Sequence, residues 1–152
     1  MVQLEFETEI RASADRVFTL LADLRGYDRW LPSSSAFRGT AQISEGPIAV
    51  GTTYVEPGPL GIRHGTLTEM DRPRRLGFEQ PMTLRPRALG VIDIRLFHTL
   101  TPGRTSTHLL RALELSPRGP VKMAMPFVVG MFRVENERLM NTLKAYAEAH
   151  PL

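Results

Sequence analysis

Residues 120 to 149 follow the periodicity of one long amphipathic helix. On a wheel of about 100° per residue, one side carries charged residues and the other side is apolar. The apolar stripe consists of Ala124, Val128, Met131, Phe132, Leu139, Leu143 and Tyr146. One acidic residue, Glu135, lies close to its middle. A stripe of this length needs a broad cover, most simply a sheet, so the helix predicts a two-layer α+β fold.

Pro126 lies inside the same segment, where a proline removes a backbone hydrogen bond. Two interpretations are open. Either the helix is kinked, and with Gly130 nearby its first part acts as a gate, or the true helix begins here and Pro126 occupies its first turn.

Composition limits the class of protein. A length of 152 residues predicts a single domain over residues 1–152 that buries its own core. The absence of cysteine excludes disulfides and fits a reducing compartment. The first ten residues lack the apolar region of a signal peptide, and no run approaches the roughly 18 apolar residues of a membrane span. We therefore expect a soluble, cytoplasmic protein without a transmembrane segment.

The charge pattern argues against a nucleic-acid partner. There are 19 basic and 16 acidic residues, a net charge of +3, and the arginines are scattered rather than gathered in a stripe. The tightest groups are Arg72, Arg74 and Arg75, followed by Arg85 and Arg87. An interaction module that uses these five arginines is one hypothesis for function.

The first forty residues predict one strand and two short helices. Residues 2–10 alternate apolar and polar side chains, which is typical of a half-buried strand. Ser13 is a candidate N-cap for a first helix, and Gly26 interrupts that helix. A second helical piece covers Tyr27 to Leu31 and ends at Pro32.

Between residues 37 and 115 the pattern changes to short strands separated by turn residues. The predicted strands cover residues 37–43, 50–56, 62–70, 76–80, 88–100 and 105–115. Short turns between successive strands favour an antiparallel meander.

Three stretches carry a resemblance to a known family. They are RASADRVFTLLADLRGYDRWLP after the first strand, GTLTEMDRPRRLGFE from Gly65 to Glu79, and LTPGRTSTHLLRALEL from Leu100 to Leu115. The matching positions of the first are Val17, Phe18, Asp23, Tyr27, Trp30 and Pro32. In this order they resemble the START-like, polyketide cyclase and dehydrase-like (SRPBCC, helix-grip) superfamily.

The resemblance implies an α+β helix-grip fold: a seven-stranded antiparallel sheet wrapped around the long C-terminal helix, with two short helices after the first strand. It also implies an internal cavity for a hydrophobic ligand. The family includes lipid carriers, quinone-binding proteins, plant hormone binders and aromatase/cyclases, so the container alone does not fix the function.

Strand alternation predicts which polar residues face such a cavity. If Leu109, Leu113 and Leu115 point inward, Arg111 points inward with them, and the same reasoning on the preceding strand turns His98 inward. From the helix Glu135 faces the same space. Glu135 and Arg111 either pair with each other, orient the polar end of a ligand, or are exposed because the predicted register is wrong.

His98 is either a satisfied core histidine or, beside a carboxylate, a general acid or base. The facing of His64 is not fixed by the sequence. Trp30 is either a packing anchor or a ligand contact. The apolar candidates Phe127, Met131 and Phe132 either line the pocket or fill the core.

The sequence therefore predicts binding or carriage of a hydrophobic or amphipathic small molecule, such as a lipid, quinone or polyketide-like compound. The alternative is a cofactor-free polyketide aromatase/cyclase in which His98 or Glu135 transfers protons. No metal-binding spacing and no nucleotide-binding glycine motif occurs, so no cofactor is expected. The oligomeric state is left open.

Overall fold

The computed structural model describes residues 1–34 and 37–151. Within them the strands are β1 Val2–Ile10, β2 Thr53–Pro57, β3 Gly61–Asp71, β4 Arg75–Glu79, β5 Met82–Leu84, β6 Val91–Pro102 and β7 Thr107–Arg118. The α-helices are α1 Ala14–Ala22 and α2 Met125–Ala149, and 3₁₀ turns cover Leu24–Arg29, Arg87–Leu89 and Pro120–Ala124.

The strands form one antiparallel sheet in the order β1-β7-β6-β4-β3-β2, and β5 pairs with both β3 and β6. The first and last strands are therefore neighbours, and the remainder is the predicted meander. α2 packs across the buried face of this sheet and contacts β1. The predicted helix-grip architecture is confirmed.

The N-terminal predictions are confirmed in outline. The Ser13 hydroxyl accepts the backbone N–H of Arg16 and caps α1, whose Val17 and Phe18 side chains are fully buried. The second helical piece is a 3₁₀ turn that begins earlier than predicted, at Leu24, and Gly26 lies inside it.

One strand prediction is wrong: in residues 37–43 only an isolated bridge from Ala41 to Val55 forms. The strand predicted over residues 88–100 is present as β6, but it starts at Val91, after a 3₁₀ turn. β5, which was not predicted, brings the number of strands to seven. β5 was not predicted because a strand of three residues is too short to show an alternating pattern.

α2 is rotated relative to the prediction. Its buried residues are Met125, Val128, Phe132, Asn136, Met140, Leu143 and Ala147. Met140, expected on the polar side, is buried, whereas Ala124 precedes the helix and is exposed. The polar residue within the buried stripe is thus Asn136, not Glu135.

Pro126 lies in the first turn of α2, the second of the two sequence interpretations, where its missing N–H disrupts no hydrogen bond. No helix in residues 1–34 or 37–151 is long and apolar enough to cross a membrane.

Candidate functional site

A chamber lies between the sheet and α2. The centre of a water molecule can occupy about 80 Å³ of it, and one buried water needs only about 10–15 Å³ by this measure. Its apolar lining includes Leu21, Leu31, Phe37, Phe78, Met82, Leu96, Leu113, Phe132 and Leu139. The chamber therefore has room for a small molecule or for the ring of a larger one.

Arg111 on β7 supplies a cation to this apolar lining. Its side chain is 8% exposed. Nε donates to Asn136 Oδ1 at 2.7 Å, and Nη1 donates to His98 Nε2 at 2.7 Å. No carboxylate among the described residues forms an ion pair with it. Burial lowers the pKa of Arg111 to about 10, so the guanidinium stays charged at pH 7 with only neutral direct partners.

His98 lies opposite Arg111 on β6 and is 1% exposed. Burial, followed by the adjacent Arg111 cation, holds the pKa of His98 well below its usual value, so the ring is neutral. Because Nε2 accepts from Arg111, the proton lies on Nδ1, which makes no hydrogen bond of good geometry although the Leu76 backbone is near. The predicted inward facing of His98 and Arg111 is confirmed, but His98 lies behind Arg111 and is not part of the lining.

Asn136 completes this cluster and was missed by the sequence reasoning. Its Nδ2 donates to the Phe132 carbonyl one turn earlier, at 2.7 Å, which orients Oδ1 toward Arg111. A helical wheel centred on the residues that are buried would have shown Asn136 in the middle of the stripe.

A second polar group lines the chamber from β2, β3 and the end of β4. Glu56 and Gln80 are buried, and the Gln80 amide donates to the Tyr54 hydroxyl. Glu56 Oε2 accepts from Thr40 at 2.8 Å, and Oε1 lies 3.4 Å from Arg63 Nε. Burial raises the pKa of Tyr54 well above its usual value, so the hydroxyl keeps its proton.

Glu56 was also missed by the sequence reasoning, although the alternation that buries Tyr54 on β2 places Glu56 on the same face. β2 is separated from β7 in the sheet by β3, β4 and β6. The Glu56 cluster and the Arg111 cluster therefore enter one chamber from strands that are not neighbours; the Glu56 charge acts on Arg111 through space, but the two form no ion pair among the described residues.

Glu135 lines the chamber but does not pair with Arg111, which corrects one of the sequence alternatives. Its carboxylate lies 2.6 Å from Arg138 Nη2 and accepts from the Ser34 hydroxyl at 3.1 Å. The charge of the half-buried Glu135, which lies at the rim of the chamber, is thus neutralised by Arg138 on the same helix.

The other predicted site residues divide into two groups. Trp30, Met131 and Phe132 line the chamber. Phe127 is 69% exposed, and His64 is exposed on the outer face of β3; neither is part of the lining. Phe127 and Phe132 are five residues apart, which places them on different faces of a helix.

The described residues contain no group of three histidine or acidic side chains arranged to hold a metal ion. The chamber lining instead contains one charged donor, Arg111, and a second polar group in which the Glu56 carboxylate lies beside Arg63 and Gln80.

Comparisons with known proteins agree with this architecture. No curated protein matches the chain. Among solved structures, the Zhui aromatase/cyclase from Streptomyces sp. R1128 superposes with a TM-score of 0.77 at 16% identity, covering 97% of this chain and 93% of that one. A START superfamily protein from Mycobacterium smegmatis gives 0.73 at 15% identity, covering 97% of each chain.

Norcoclaurine synthase from Thalictrum flavum, in complex with dopamine and hydroxybenzaldehyde, gives a TM-score of 0.69 at 19% identity and covers 98% of this chain and 87% of that one. At these identities the structural likeness concerns the fold. Residues 1–148 also match the family described as polyketide cyclase / dehydrase and lipid transport. The chain belongs to this family.

Proposed function

We propose that the protein binds a small amphipathic molecule whose apolar body fills the chamber and whose anionic or carbonyl end meets Arg111. The observation that carries the proposal is the Arg111 side chain: a buried, charged guanidinium that lines a largely apolar chamber and whose direct partners within residues 1–34 and 37–151 are neutral.

The buried charge of Arg111 needs a compensating group. A charge withdrawn from water destabilises the fold by several kcal/mol unless an opposite charge and hydrogen bonds offset it. Asn136 and His98 fix the orientation of Arg111 but bring no negative charge. A carboxylate, enolate or strongly polarised carbonyl of a ligand would supply it, and a small number of such polar groups in an apolar pocket commonly sets ligand orientation.

The Glu56 cluster supports an expectation about the other end of the ligand. Its carboxylate accepts hydrogen bonds, and the Tyr54 hydroxyl accepts from Gln80 and can donate its own proton. This combination fits a hydroxyl or amine. We therefore expect a ligand with an apolar, ring-sized centre, an acidic or carbonyl group at one end and a hydrogen-bond donor at the other.

A cofactor-free cyclase is the second candidate, and the buried Glu56 carboxylate favours it. His98 and Glu135, the bases considered from the sequence, are poorly placed, since His98 lies behind Arg111 and Glu135 is hydrogen-bonded by Arg138 at 2.6 Å. Arg63, by contrast, lies 3.4 Å from Glu56 without a hydrogen bond of good geometry. In a cyclase Glu56 would accept a proton from the carbon beside a ligand carbonyl. The electron pair would move onto the carbonyl oxygen, where Arg111 stabilises the enolate.

Matched probes test the binding proposal. 2-Naphthoate and 2-naphthylmethanol share a fluorescent ring system and differ in charge. We expect wild type to bind the carboxylate more tightly, and Arg111→Met to weaken that binding by roughly 10- to 150-fold, because a hydrogen bond to a charged group contributes about 1.5–3 kcal/mol. Binding of the alcohol should change much less.

Arg95→Met is the matched control, since Arg95 lies on β6 with its side chain exposed. It should leave the binding of both probes unchanged. If wild type binds neither probe, the proposed function is wrong. If Arg111→Met binds 2-naphthoate as well as wild type does, Arg111 is not the ligand-orienting group.

The cyclase candidate has a separate readout. 2-Acetonaphthone carries exchangeable protons next to its carbonyl, and NMR in D₂O measures their loss. Exchange accelerated by wild type and abolished in Glu56→Gln, with 2-naphthoate binding retained, would support proton transfer by Glu56. If wild type does not accelerate the exchange, the cyclase candidate is wrong and ligand binding is the only proposed function that stands.

A further inference from the structure

A second apolar stripe runs along the outside of the Pro120–Ala124 turn and the first half of α2. Met123 in the turn is 91% exposed, and Phe127 and Val134 in the helix are each 69% exposed. Phe127, Gly130, which is also exposed, and Val134 follow each other at intervals of three and four residues and share one face of α2, and Met123 precedes them by four residues in the turn that leads into the helix. The helix thus has a buried apolar face and an exposed one, and exposed apolar surface of this kind marks an interaction site.

Basic residues surround this stripe. The Arg87–Leu89 turn packs against the Pro120–Ala124 turn, which brings the exposed Leu89 beside the start of the stripe. Exposed cations are contributed by Arg85, Arg87, Lys122 and Arg133. Neither residues 80–92 nor residues 116–134 contain an aspartate or glutamate. The face is therefore apolar at its centre and positive at its edge.

This face adjoins the chamber. The Arg85 backbone N–H donates to the Leu60 carbonyl at 2.8 Å, and Leu60 lines the chamber. From the other side Met131, one turn after Phe127, lines it as well. The basic apolar face and the rim of the chamber thus meet between the Leu60 loop and α2.

We propose that the face formed by Leu89, Met123, Phe127, Gly130 and Val134, with its four basic residues, docks onto an anionic lipid membrane. Apolar side chains that project outward fit an acyl layer, in the manner of an interfacial amphipathic helix. The cations match the negative surface potential of acidic lipids. Docked in this way, the rim between Leu60 and Met131 would lie next to the lipid, so that an amphipathic ligand could pass between bilayer and chamber without crossing water.

Vesicle co-sedimentation tests the proposal with the full chain and no ligand. We expect binding to vesicles of equal parts phosphatidylglycerol and phosphatidylcholine, and much weaker binding to pure phosphatidylcholine. Lys122→Gln and Arg87→Gln should each reduce binding about fivefold, since a cation near an anionic surface contributes about 1 kcal/mol. Phe127→Gln should reduce it roughly 10- to 100-fold through the lost burial of its ring.

Val50→Gln is the control for apolar exposure. Val50 is 61% exposed but lies before β2, at the far end of the β2–β3 hairpin from the Leu60 loop. It should bind vesicles as wild type does. Because none of the three test positions lines the chamber, 2-naphthoate binding should be unchanged in all of them, which keeps this test separate from that of the proposed function.

Three results would overturn the proposal: no binding of wild type to the anionic vesicles, equal binding to both vesicle types, or full binding by Phe127→Gln. A concentration-dependent dimer in solution that Phe127→Gln disrupts, without vesicle binding by wild type, would assign the face to a second copy of the chain.

Discussion

Replacing Arg111 with methionine measures what a ligand-binding cation does to the stability of the empty protein. Burial lowers the pKa of Arg111 from its ordinary value to about 10. At about 1.4 kcal/mol per pH unit, the charged side chain destabilises the fold by about 3 kcal/mol. At pH 7, below both values, the side chain is charged in the folded and unfolded chains, so this effect is fully present. Arg111→Met removes it.

The same substitution also removes two hydrogen bonds. Asn136 Oδ1 and His98 Nε2 each lose a donor, and an unsatisfied buried group destabilises by about 1–3 kcal/mol. The two effects oppose each other. We expect Arg111→Met to lie between about 1 kcal/mol more stable and about 3 kcal/mol less stable than wild type.

The double variant Arg111→Met with Asn136→Leu sharpens this expectation. It removes one of the two orphaned acceptors, so it should be about 1–3 kcal/mol more stable than Arg111→Met alone. Urea unfolding at pH 7, with an unchanged denaturant slope, measures all three proteins. Neither variant should distinguish 2-naphthoate from the alcohol.

The proposed role of Arg111 is refuted if Arg111→Met loses 5 kcal/mol or more of stability and the second substitution recovers none of it. That is the behaviour expected when one partner of a buried ion pair is removed. Arg111 would then be part of the framework of the fold, and its position in the chamber would carry no information about a ligand.

Further predictions concern pH and packing. The pKa of His98 is lowered by burial, so below about pH 6.5 only the unfolded chain takes up the proton. The free energy of unfolding of wild type should therefore fall by up to about 1.4 kcal/mol for each pH unit below that point. His98→Gln, which keeps a hydrogen-bond acceptor, should lose less stability over the same range, as measured by urea unfolding. Gly65→Ala would place a Cβ 2.1 Å from the Tyr54 ring and should destabilise by about 1–3 kcal/mol. At Gly130 in α2 an added Cβ would meet open space, so Gly130→Ala should instead stabilise the protein by up to about 1 kcal/mol. Thermal unfolding of the two glycine variants measures this difference. The pKa of Glu148 falls to about 2 because its carboxylate accepts hydrogen bonds from the Arg11 backbone N–H and the Lys144 ammonium. The stability that these hydrogen bonds supply is therefore present above pH 4.5 and lost as the pH falls toward 2. The difference in melting temperature between wild type and Glu148→Gln should close over that range; a constant difference would contradict the assignment.

The faces of the strands were predictable because alternation is a local property. Once the leucines of β7 were assigned to the core, Arg111 followed, and His98 followed from the leucines of β6. The same rule applied to β2 would have found Glu56 beside the buried Tyr54. It was missed because no leucine pattern marks the inner face of that short strand.

The rotation of α2 was harder to predict because two apolar stripes compete on it. A helical wheel assigns the core side from the mean direction of apolar residues, and exposed residues such as Phe127 and Val134 draw that direction away from the sheet. The rotation of α2 relative to the predicted wheel is small, but because of it the partner of Arg111 is Asn136 and not Glu135. Only the packing of the whole sheet decides between them.

The separation of the two polar clusters is itself an argument for an occupant. If Arg111 and Glu56 served only to neutralise each other, direct contact would be the favourable arrangement, because Coulomb attraction grows as distance falls. Instead β7 and β2 hold them on opposite sides of three intervening strands, Glu56 lies against Arg63, and Arg111 rests on neutral groups. Among the residues that the structure describes, this buried cation forms no ion pair with an acidic side chain, and a largely apolar chamber lies beside it. A ligand that carries the complementary charge is the component that completes this arrangement.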